Sequence, residues 1–307
     1  MNVTMIFPGQ GCQKVGMGQD FYESDSLAKE MLERASHRLD LDFTKLLFEE
    51  NDKLEQTEFT QPAVFLVSLI AYSLFKREFS KKPFRAFGHS LGEFSALSAV
   101  GALDYLDGVE LVHKRGLLMK STCEGLNAGM MALLGLSDDN VERIIGEARR
   151  EGKKVWAANY NCDGQIVIAG NRDDLASLEK IFRDAGAKRA LLLNMSVASH
   201  CELLSGATKT LGEYLEKYLK NSFDSPVISN VTSKEYSTKK DALDLLSKQL
   251  IYPVKYKHSV QYVDNQSDIY IEFGATVLKG LNRRITKKPT HSITDMASLQ
   301  KVLSELS

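Results

Sequence analysis

The chain alternates short runs of consecutive apolar residues with longer segments in which apolar residues recur at helical spacing. The run Val3–Phe7, followed by the turn residues Pro8–Gly11, is typical of a buried strand that ends in a glycine-rich turn. From Pro62 to Phe79 the apolar residues recur at helical spacing, and Thr60 is suited to cap the first turn. Further strands are predicted at Phe84–Phe87, Val227–Asn230, Ile269–Phe273 and Ser292–Thr294, and further helices at Leu27–Leu39, Leu91–Val100, Tyr105–Thr122, Leu203–Tyr218, Ala242–Leu250 and Val277–Ile285, with a final helix that ends at Leu306. Strands that alternate with helices predict βαβ units and a mainly parallel sheet.

The middle of the chain, from about residue 125 to 196, has a different order of elements. Its pattern predicts strand, helix, strand, strand, helix, strand, which is the ferredoxin-like order and forms a small sheet of its own. These elements are predicted at Met130–Gly135, Asp138–Arg150, Val155–Asn159, Gln165–Ala169, Asp173–Ala185 and Arg189–Asn194. We therefore expect a discontinuous α/β domain, residues 1–124 and 197–307, interrupted by a ferredoxin-like α+β subdomain at residues 125–196.

Length and composition are compatible with this organisation. A chain of 307 residues fits one large domain with a small insert. With 43% hydrophobic and 26% charged residues, the composition is typical of a soluble globular protein. The 39 basic and 40 acidic residues leave a net charge of −1, so the whole chain has no electrostatic attraction to nucleic acid or to an anionic membrane. We expect neither as a partner.

Cysteine spacing and targeting signals point to a reducing compartment. The cysteines form no C-x-x-C pair, so neither a zinc site nor a thioredoxin-like motif is indicated, and we expect free thiols. They are Cys12, Cys123, Cys162 and Cys201. No signal peptide is recognised at the N-terminus. The most apolar stretch, Ala63–Phe75, is shorter than the roughly 20 residues that a bilayer requires, which predicts a buried helix. We expect a cytoplasmic protein.

A serine motif stands between a predicted strand and a predicted helix. Residues Gly88 to Gly92 read Gly-His-Ser-Leu-Gly, which fits G-x-S-x-G, the nucleophile elbow. Two glycines allow a tight turn, so that Ser90 projects its oxygen above the sheet, and the N-terminus of the next helix faces the site. The Leu91 N–H can then face a developing oxyanion. The alternative is that small residues merely allow close packing at this turn.

A serine hydroxyl needs a base, and six histidines are candidates. His200 is favoured because it follows the insert, where the chain returns to the cleft between the two units. His89 adjoins the serine, but neighbours in a tight turn point apart. The remaining histidines are His37 and His113, which we expect on solvated helix faces, and His258 and His291, which no pattern supports.

These residues together resemble the malonyl-coenzyme A:acyl carrier protein transacylase family, and the resemblance extends over nearly the whole chain. It is carried by Phe7–Gly11, Gly88–Glu93, Lys114–Gly116, Gly129–Ala132, Asn159–Gly170, Ser199–Cys201, Gln249 with Pro253-Val254, and Glu272–Gly274. The family fold is an α/β-hydrolase-like core with a parallel sheet and an inserted ferredoxin-like subdomain. That fold agrees with the order of elements predicted from the apolar pattern.

The resemblance implies a role for each matching residue. Ser90 would be the acylated nucleophile and His200 its general base and acid. The imidazole would be oriented by the main-chain carbonyl of Gln249 rather than by a carboxylate. The oxyanion would be bound by the backbone N–H groups of Gln10 and Leu91.

Arg115 matches the arginine that receives the free carboxylate of the substrate in this family. A guanidinium offers two parallel N–H donors to a carboxylate, a fit that lysine does not reproduce. The residues alone favour a different reading, in which Arg115 is one basic residue on the predicted helix Tyr105–Thr122, paired with solvent. The resemblance reverses this preference and favours the substrate-binding role.

The function implied is transfer of malonyl from malonyl-CoA to the phosphopantetheine thiol of acyl carrier protein, by a ping-pong mechanism through a malonyl-serine, for fatty acid synthesis. No metal and no cofactor besides the coenzyme A thioester substrate are expected, and we expect a monomer. The alternatives are a discrete acyltransferase of a polyketide synthase, a serine esterase or thioesterase that uses Asp173 or Asp184, and a non-catalytic binding module.

A basic run lies near the end of the chain. It extends from Lys279 to Lys288 and contains Arg283, Arg284 and Lys287. Such runs are usually a solvated helix face. The alternative is a docking surface for an acidic carrier protein or for coenzyme A phosphates, whose effect would appear in the association rate and weaken with salt.

Overall fold

The computed structural model describes residues 1–82, 84–195 and 197–306. The predicted subdomain ends at Ser196 and the predicted α/β domain ends at Ser307. Both residues lie outside the described residues. The strands are β1 Val3–Phe7, β2 Arg85–Gly88, β3 Ala128–Leu134, β4 Val155–Cys162, β5 Gln165–Asn171, β6 Arg189–Leu192, β7 Val227–Ile228, β8 Glu235–Tyr236, β9 Ile269–Phe273 and β10 Thr290–Ile293. They form two sheets.

The helices lie between these strands and at the end of the chain. They are α1 Gln19–Ser24, α2 Ser26–Leu39, α3 Phe43–Phe48, α4 Thr57–Glu78, α5 Leu91–Ala99, α6 Tyr105–Cys123, α7 Asp138–Arg150, α8 Arg172–Asp184, α9 Thr208–Tyr218, α10 Lys239–Gln249, α11 Tyr256–Val263, α12 Val277–Asn282 and α13 Met296–Leu306. Short 3₁₀ turns are at Lys53–Glu55, Glu202–Ala207 and Asp264–Gln266.

The larger sheet has the strand order β10-β9-β1-β2-β7-β8. The strands from β10 to β7 pair in parallel, and only the edge pair β7 and β8 is antiparallel. Every residue of β1 is buried, as expected of a central parallel strand covered by helices on both faces. The carboxyl ends of β1 and β2 meet at one edge, where the glycine-rich turn and the serine motif follow. The parallel α/β core is confirmed.

The smaller sheet is built from the middle of the chain. Its order is β4-β5-β3-β6, all antiparallel, with α7 and α8 completing the βαββαβ sequence of elements. It has its own apolar cluster, in which Ile144 and Phe182 from the helices join Met131 and Ile168 from the strands. The inserted α+β unit is therefore confirmed, with strand and helix ends that differ from the predictions by a few residues.

The long helix α4 begins five residues earlier than predicted. Pro62 lies inside it and has no N–H to donate to the Glu58 carbonyl. That carbonyl instead accepts a hydrogen bond from His113 Nδ1, 2.7 Å away. The helix therefore continues through the proline to Thr57, and the prediction that Thr60 caps its start is wrong. His113, predicted to be solvated, is half-buried in this contact.

Helix α4 is also long and apolar enough to cross a membrane. However, 89% of its most apolar 18-residue window is buried inside the protein. Its partners include α6, whose Gly108 approaches the Phe65 ring so closely that an added Cβ would lie 2.2 Å from it. This burial is that of a core helix, as predicted from Ala63–Phe75.

Candidate active site

The serine motif forms a strained turn between β2 and α5. Ser90 has φ 54° and ψ −107°, a conformation that residues other than glycine rarely adopt. The flanking glycines are required by close packing: a Cβ on Gly92 would lie 2.0 Å from the Phe7 carbonyl oxygen, and a Cβ on Gly88 would lie 2.2 Å from the Gly92 carbonyl carbon. The helix N-terminus is thus pressed against β1, and the serine stands at the apex of the turn.

His200 lies within hydrogen-bond distance of this serine. Its Nε2 is 2.8 Å from Ser90 Oγ, and its Nδ1 is 2.7 Å from the Gln249 carbonyl oxygen. A carbonyl oxygen can only accept, so Nδ1 carries the proton and Nε2 is the free acceptor for the serine O–H. The imidazole is therefore held in the tautomer that a general base requires.

The surroundings of His200 keep it neutral. Its side chain is buried, and the burial, together with the positive charge of Arg115, lowers its pKa to about 3. The hydrogen bond to the Gln249 carbonyl acts in the opposite direction but is weaker. At neutral pH the imidazole is unprotonated and able to take a proton from Ser90.

We expect nuclear magnetic resonance of ¹⁵N-histidine-labelled protein to show this directly. Because the pKa of His200 is lowered, its ring should keep the neutral Nδ1–H pattern down to about pH 4, while an ordinary histidine titrates near pH 6.5. A His200 signal that changes to the doubly protonated pattern near pH 6.5 would contradict a neutral base.

Arg115 extends from α6 to the same oxygen. Its Nη2 donates to Ser90 Oγ at 3.1 Å and to Gln249 Oε1 at 3.0 Å, and its Nη1 donates to Gln61 Oε1 at 2.7 Å. The side chain is 1% exposed, and its Nε–H has no acceptor among the residues that the structure describes. Burial lowers the pKa of Arg115 to about 10, so the guanidinium remains charged at neutral pH. Its direct partners are neutral amides and a hydroxyl, which leave the charge without a contacting anion.

The two residues proposed for the oxyanion hole line the same cavity as Ser90. Leu91 is the first residue of α5, so its N–H has no acceptor within the helix. Gln10 follows β1, and its side-chain oxygen accepts from the Thr57 hydroxyl at 2.8 Å, which holds the side chain toward α4. The backbone N–H groups of Gln10 and Leu91 remain the predicted oxyanion donors.

The cavity has a volume of about 310 Å³ and lies between the two sheets. Ser90, His200 and Arg115 reach it from the larger unit, whereas Met130, Asn159 and Val167 reach it from β3, β4 and β5. Every residue assigned to the reaction from the sequence lines this cavity except Gln249, which is fully buried behind it. The structure thus brings all six together.

Comparisons with known proteins show the family of this chain. The acyl transferase domain family matches residues 4–303. The chain is 34% identical over 308 residues to the malonyl CoA-acyl carrier protein transacylase of Bacillus subtilis (strain 168), covering 99% of this chain and 97% of that protein. This chain belongs to the malonyl-CoA:acyl carrier protein transacylase family. It is an acyltransferase.

Solved structures of transacylases have the same fold. The malonyl-CoA:acyl carrier protein transacylase from Helicobacter pylori is 45% identical, with a TM-score of 0.96 over 100% of this chain and 98% of that one. A malonyl-transacylase in complex with a type II polyketide synthase acyl-carrier protein is 32% identical, with a TM-score of 0.95 over 99% of this chain and all of the other.

Two residues of this transacylase site were not identified from the sequence. Asn230 accepts the Ser90 N–H at 2.7 Å through Oδ1 and donates to the Gly88 carbonyl at 2.7 Å through Nδ2. Glu93, in the first turn of α5, is fully buried. Burial raises the pKa of Glu93 to about 7, against the effect of hydrogen bonds from Asn230, Gln249 and Tyr236 and of the Arg115 charge. Asn230 could have been identified from the sequence, because it lies at the carboxyl end of a strand of the parallel sheet, at the same edge as the serine.

The other candidate residues have other contacts. His89 lines the same cavity, but its Nε2 is 2.8 Å from Asn161 Oδ1, so its ring is not directed at Ser90. Asp173 and Asp184, the acids considered for an esterase, are exposed on α8, and Asp184 pairs with Lys180. In the described part of the chain, no group of three or more His, Cys, Asp or Glu side chains could hold a metal ion.

Within the basic run, Arg283, Arg284, Lys287 and Lys288 are exposed and Lys279 is half-buried.

Proposed function

We propose that this acyltransferase moves a malonyl group from malonyl-CoA to the phosphopantetheine thiol of an acyl carrier protein in the cytoplasm, for fatty acid synthesis. The observation that carries the proposal is Arg115. Its guanidinium is buried, contacts no anion among the described residues, and has its Nη2 3.1 Å from the nucleophilic oxygen, so an anionic part of the substrate can pair with it there. The second carboxylate of a malonyl thioester is such an anion, and an acetyl thioester has none.

In the first half of the proposed cycle, Ser90 Oγ attacks the thioester carbonyl carbon while His200 Nε2 takes the hydroxyl proton. The carbonyl oxygen becomes an oxyanion, which the N–H groups of Gln10 and Leu91 stabilise. When the C–S bond breaks, the leaving coenzyme A sulfur receives the proton from His200. The Gln249 carbonyl holds the imidazole in place throughout. The product is a malonyl ester on Ser90.

The second half reverses these steps with a different thiol. His200 takes the proton of the phosphopantetheine thiol, and the sulfur attacks the ester carbonyl carbon. The C–O bond to Ser90 breaks, and Oγ regains its proton from His200. This cycle needs no metal and no redox cofactor, because nucleophile, base and charge stabilisation are all supplied by protein groups.

The competing functions differ in the second acceptor. An esterase or thioesterase of the usual type holds the histidine by a carboxylate, whereas here Nδ1 is bonded to the Gln249 carbonyl. A discrete acyltransferase of a polyketide synthase would use the same chemistry with another carrier. One related transacylase is described in complex with a type II polyketide synthase acyl-carrier protein, which supports this alternative.

The fate of the acyl group tests the proposal. With malonyl-CoA and a purified carrier protein that bears phosphopantetheine, we expect malonyl-carrier protein as the main product, measured by intact-protein mass spectrometry. Carrier protein without phosphopantetheine is the control and should accept nothing. Release of free malonate as the main product in the presence of the thiol acceptor would instead identify a hydrolase.

A further inference from the structure

Glu93 is a buried carboxylate at the centre of the site that the proposed cycle does not use. Its Oε1 accepts from the Tyr236 hydroxyl at 2.9 Å. Its Oε2 accepts from Gln249 Nε2 at 2.7 Å and from the Asn230 backbone N–H at 3.1 Å. Gln249 and Asn230 in turn bind Arg115 and the serine turn. Glu93 is therefore connected to these groups by two separate chains of hydrogen bonds.

The first route passes through the side-chain amide of Gln249. Its Nε2 faces Glu93, and its Oε1 accepts from Arg115 Nη2 at 3.0 Å. An amide has donors at one end and an acceptor at the other. The reverse orientation would place amide N–H groups against the guanidinium and the amide oxygen against the carboxylate. A carboxylate at position 93 therefore selects the orientation in which the amide oxygen holds Arg115.

The second route passes through Asn230. Its backbone N–H is bound to Glu93, while its side chain bonds both the Ser90 N–H and the Gly88 carbonyl. The Gln249 Nε2 also donates to the Ser90 carbonyl oxygen at 3.1 Å. Both routes thus end within the serine turn or on the guanidinium beside it.

We infer that Glu93 is a positioning residue whose carboxylate orients the Gln249 amide so that Arg115 is held beside Ser90 for the substrate carboxylate. This inference rests on the proposed function, because receipt of the malonyl carboxylate by Arg115 is what the orientation serves. Glu93 contacts no reacting atom. Glu93 affects the preference for malonyl over acetyl donors indirectly, through the side-chain amide of Gln249.

The consequence is specific to malonyl donors. With glutamine at position 93, the side chain can donate to the Gln249 amide oxygen, so position 93 no longer opposes the reversed orientation and only Arg115 and the Ser90 carbonyl disfavour it. In the reversed orientation Arg115 loses one of its acceptors and is held by Gln61 and Ser90 alone. Acetyl donors make no ion pair with Arg115, so they should lose less.

The test measures the rate of acyl-Ser90 formation from malonyl-CoA and from acetyl-CoA by quenched-flow mass spectrometry. It is run at about pH 8, above the raised pKa of about 7, so that the Glu93 carboxyl group is mostly ionised. For Glu93→Gln we expect the malonyl-to-acetyl ratio of kcat/KM to fall about tenfold or more, mainly through a higher KM for malonyl-CoA. Gln249→Met removes the amide but keeps the carbonyl that binds His200, and it should lower the ratio by a similar factor. The double variant should be no worse in this ratio than the poorer single variant.

The matched control is Glu272→Gln. Glu272 is also a fully buried carboxyl with a pKa raised by burial to about 7, but it binds the Leu278 and Lys279 N–H groups at the start of α12. Its variant should keep the wild-type ratio, whatever its stability.

A folded Glu93→Gln protein with the wild-type ratio would overturn the inference. Where Glu93→Gln does not fold, a wild-type ratio in Gln249→Met would overturn it equally. Failure of the proposed function looks different: the wild-type protein would then form no malonyl-Ser90, or would release free malonate instead of malonyl-carrier protein, whichever residue stands at position 93.

Discussion

Ser90→Ala is expected to abolish malonyl transfer and to remove the acyl adduct that the wild-type protein forms with malonyl-CoA. The serine oxygen is the only hydroxyl bonded to both His200 Nε2 and Arg115 among the residues described. Loss of a nucleophile of this kind lowers kcat by about 10⁴-fold or more. Intact-protein mass spectrometry followed by peptide mapping measures the adduct and its position.

Ser95→Ala is the matched control for this experiment. Ser95 lies on α5, five residues after Ser90, is fully buried, and its hydroxyl has no hydrogen-bond partner among the described residues. Its removal leaves no group unpaired, so adduct formation should remain at the wild-type level. An adduct that persists in Ser90→Ala, or that maps to another residue in the wild-type protein, would show that the serine turn is not the acylated site.

Arg115→Ala is expected to lower malonyl transfer far more than acetyl transfer. Loss of one member of a buried charge pair costs about 2–5 kcal/mol, so the malonyl-to-acetyl preference should fall by roughly 10²-fold or more. Arg115→Lys should also lose much of the preference. A single ammonium group does not reproduce the guanidinium fork that contacts Gln61, Gln249 and Ser90 together.

Arg115→Met separates charge from packing in this prediction. Methionine fills much of the space along α6 and carries no donor, so it should lose the malonyl preference as fully as alanine while it disturbs the core less. Parallel acyl-transfer assays with malonyl-CoA and acetyl-CoA give the ratio, and thermal unfolding gives the stability. Equal losses for the two donors in all three variants would assign Arg115 to folding instead of substrate binding.

The parts of the fold that follow from local chemistry were predictable. The strand, glycine turn and helix around Ser90 were expected because a serine at such an apex needs small neighbours, and the contacts of Gly88 and Gly92 agree. The βαββαβ order of the insert was expected because its strand and helix periods change at clear turn residues. Both features depend on residues close together in the chain.

Features that depend on distant residues were not predictable in this way. Helix α4 passes through Pro62, and the carbonyl that the proline leaves without its usual donor is bound by His113 from another helix. The short helix α11 and the six-residue helices α1 and α3 were missed, since their apolar patterns are too brief to show a helical period. Glu93 and Asn230 were missed because their contacts join residues more than 130 positions apart. For the same reason the spacing of residues favoured His200 only weakly, and the resemblance to a family was needed to assign Gln249.

The backbone at the two proton-exchanging residues has a consequence for how this enzyme can evolve. Ser90 has φ 54° and His200 has φ 61°, both in the region that favours glycine. Conformations of this kind cost about 1–3 kcal/mol each. Glycine at either position would relieve that strain and remove the reactive side chain. Selection for thermal stability alone would therefore favour glycine at these two positions, at the cost of activity. Stabilising substitutions in an active enzyme must lie elsewhere in the chain.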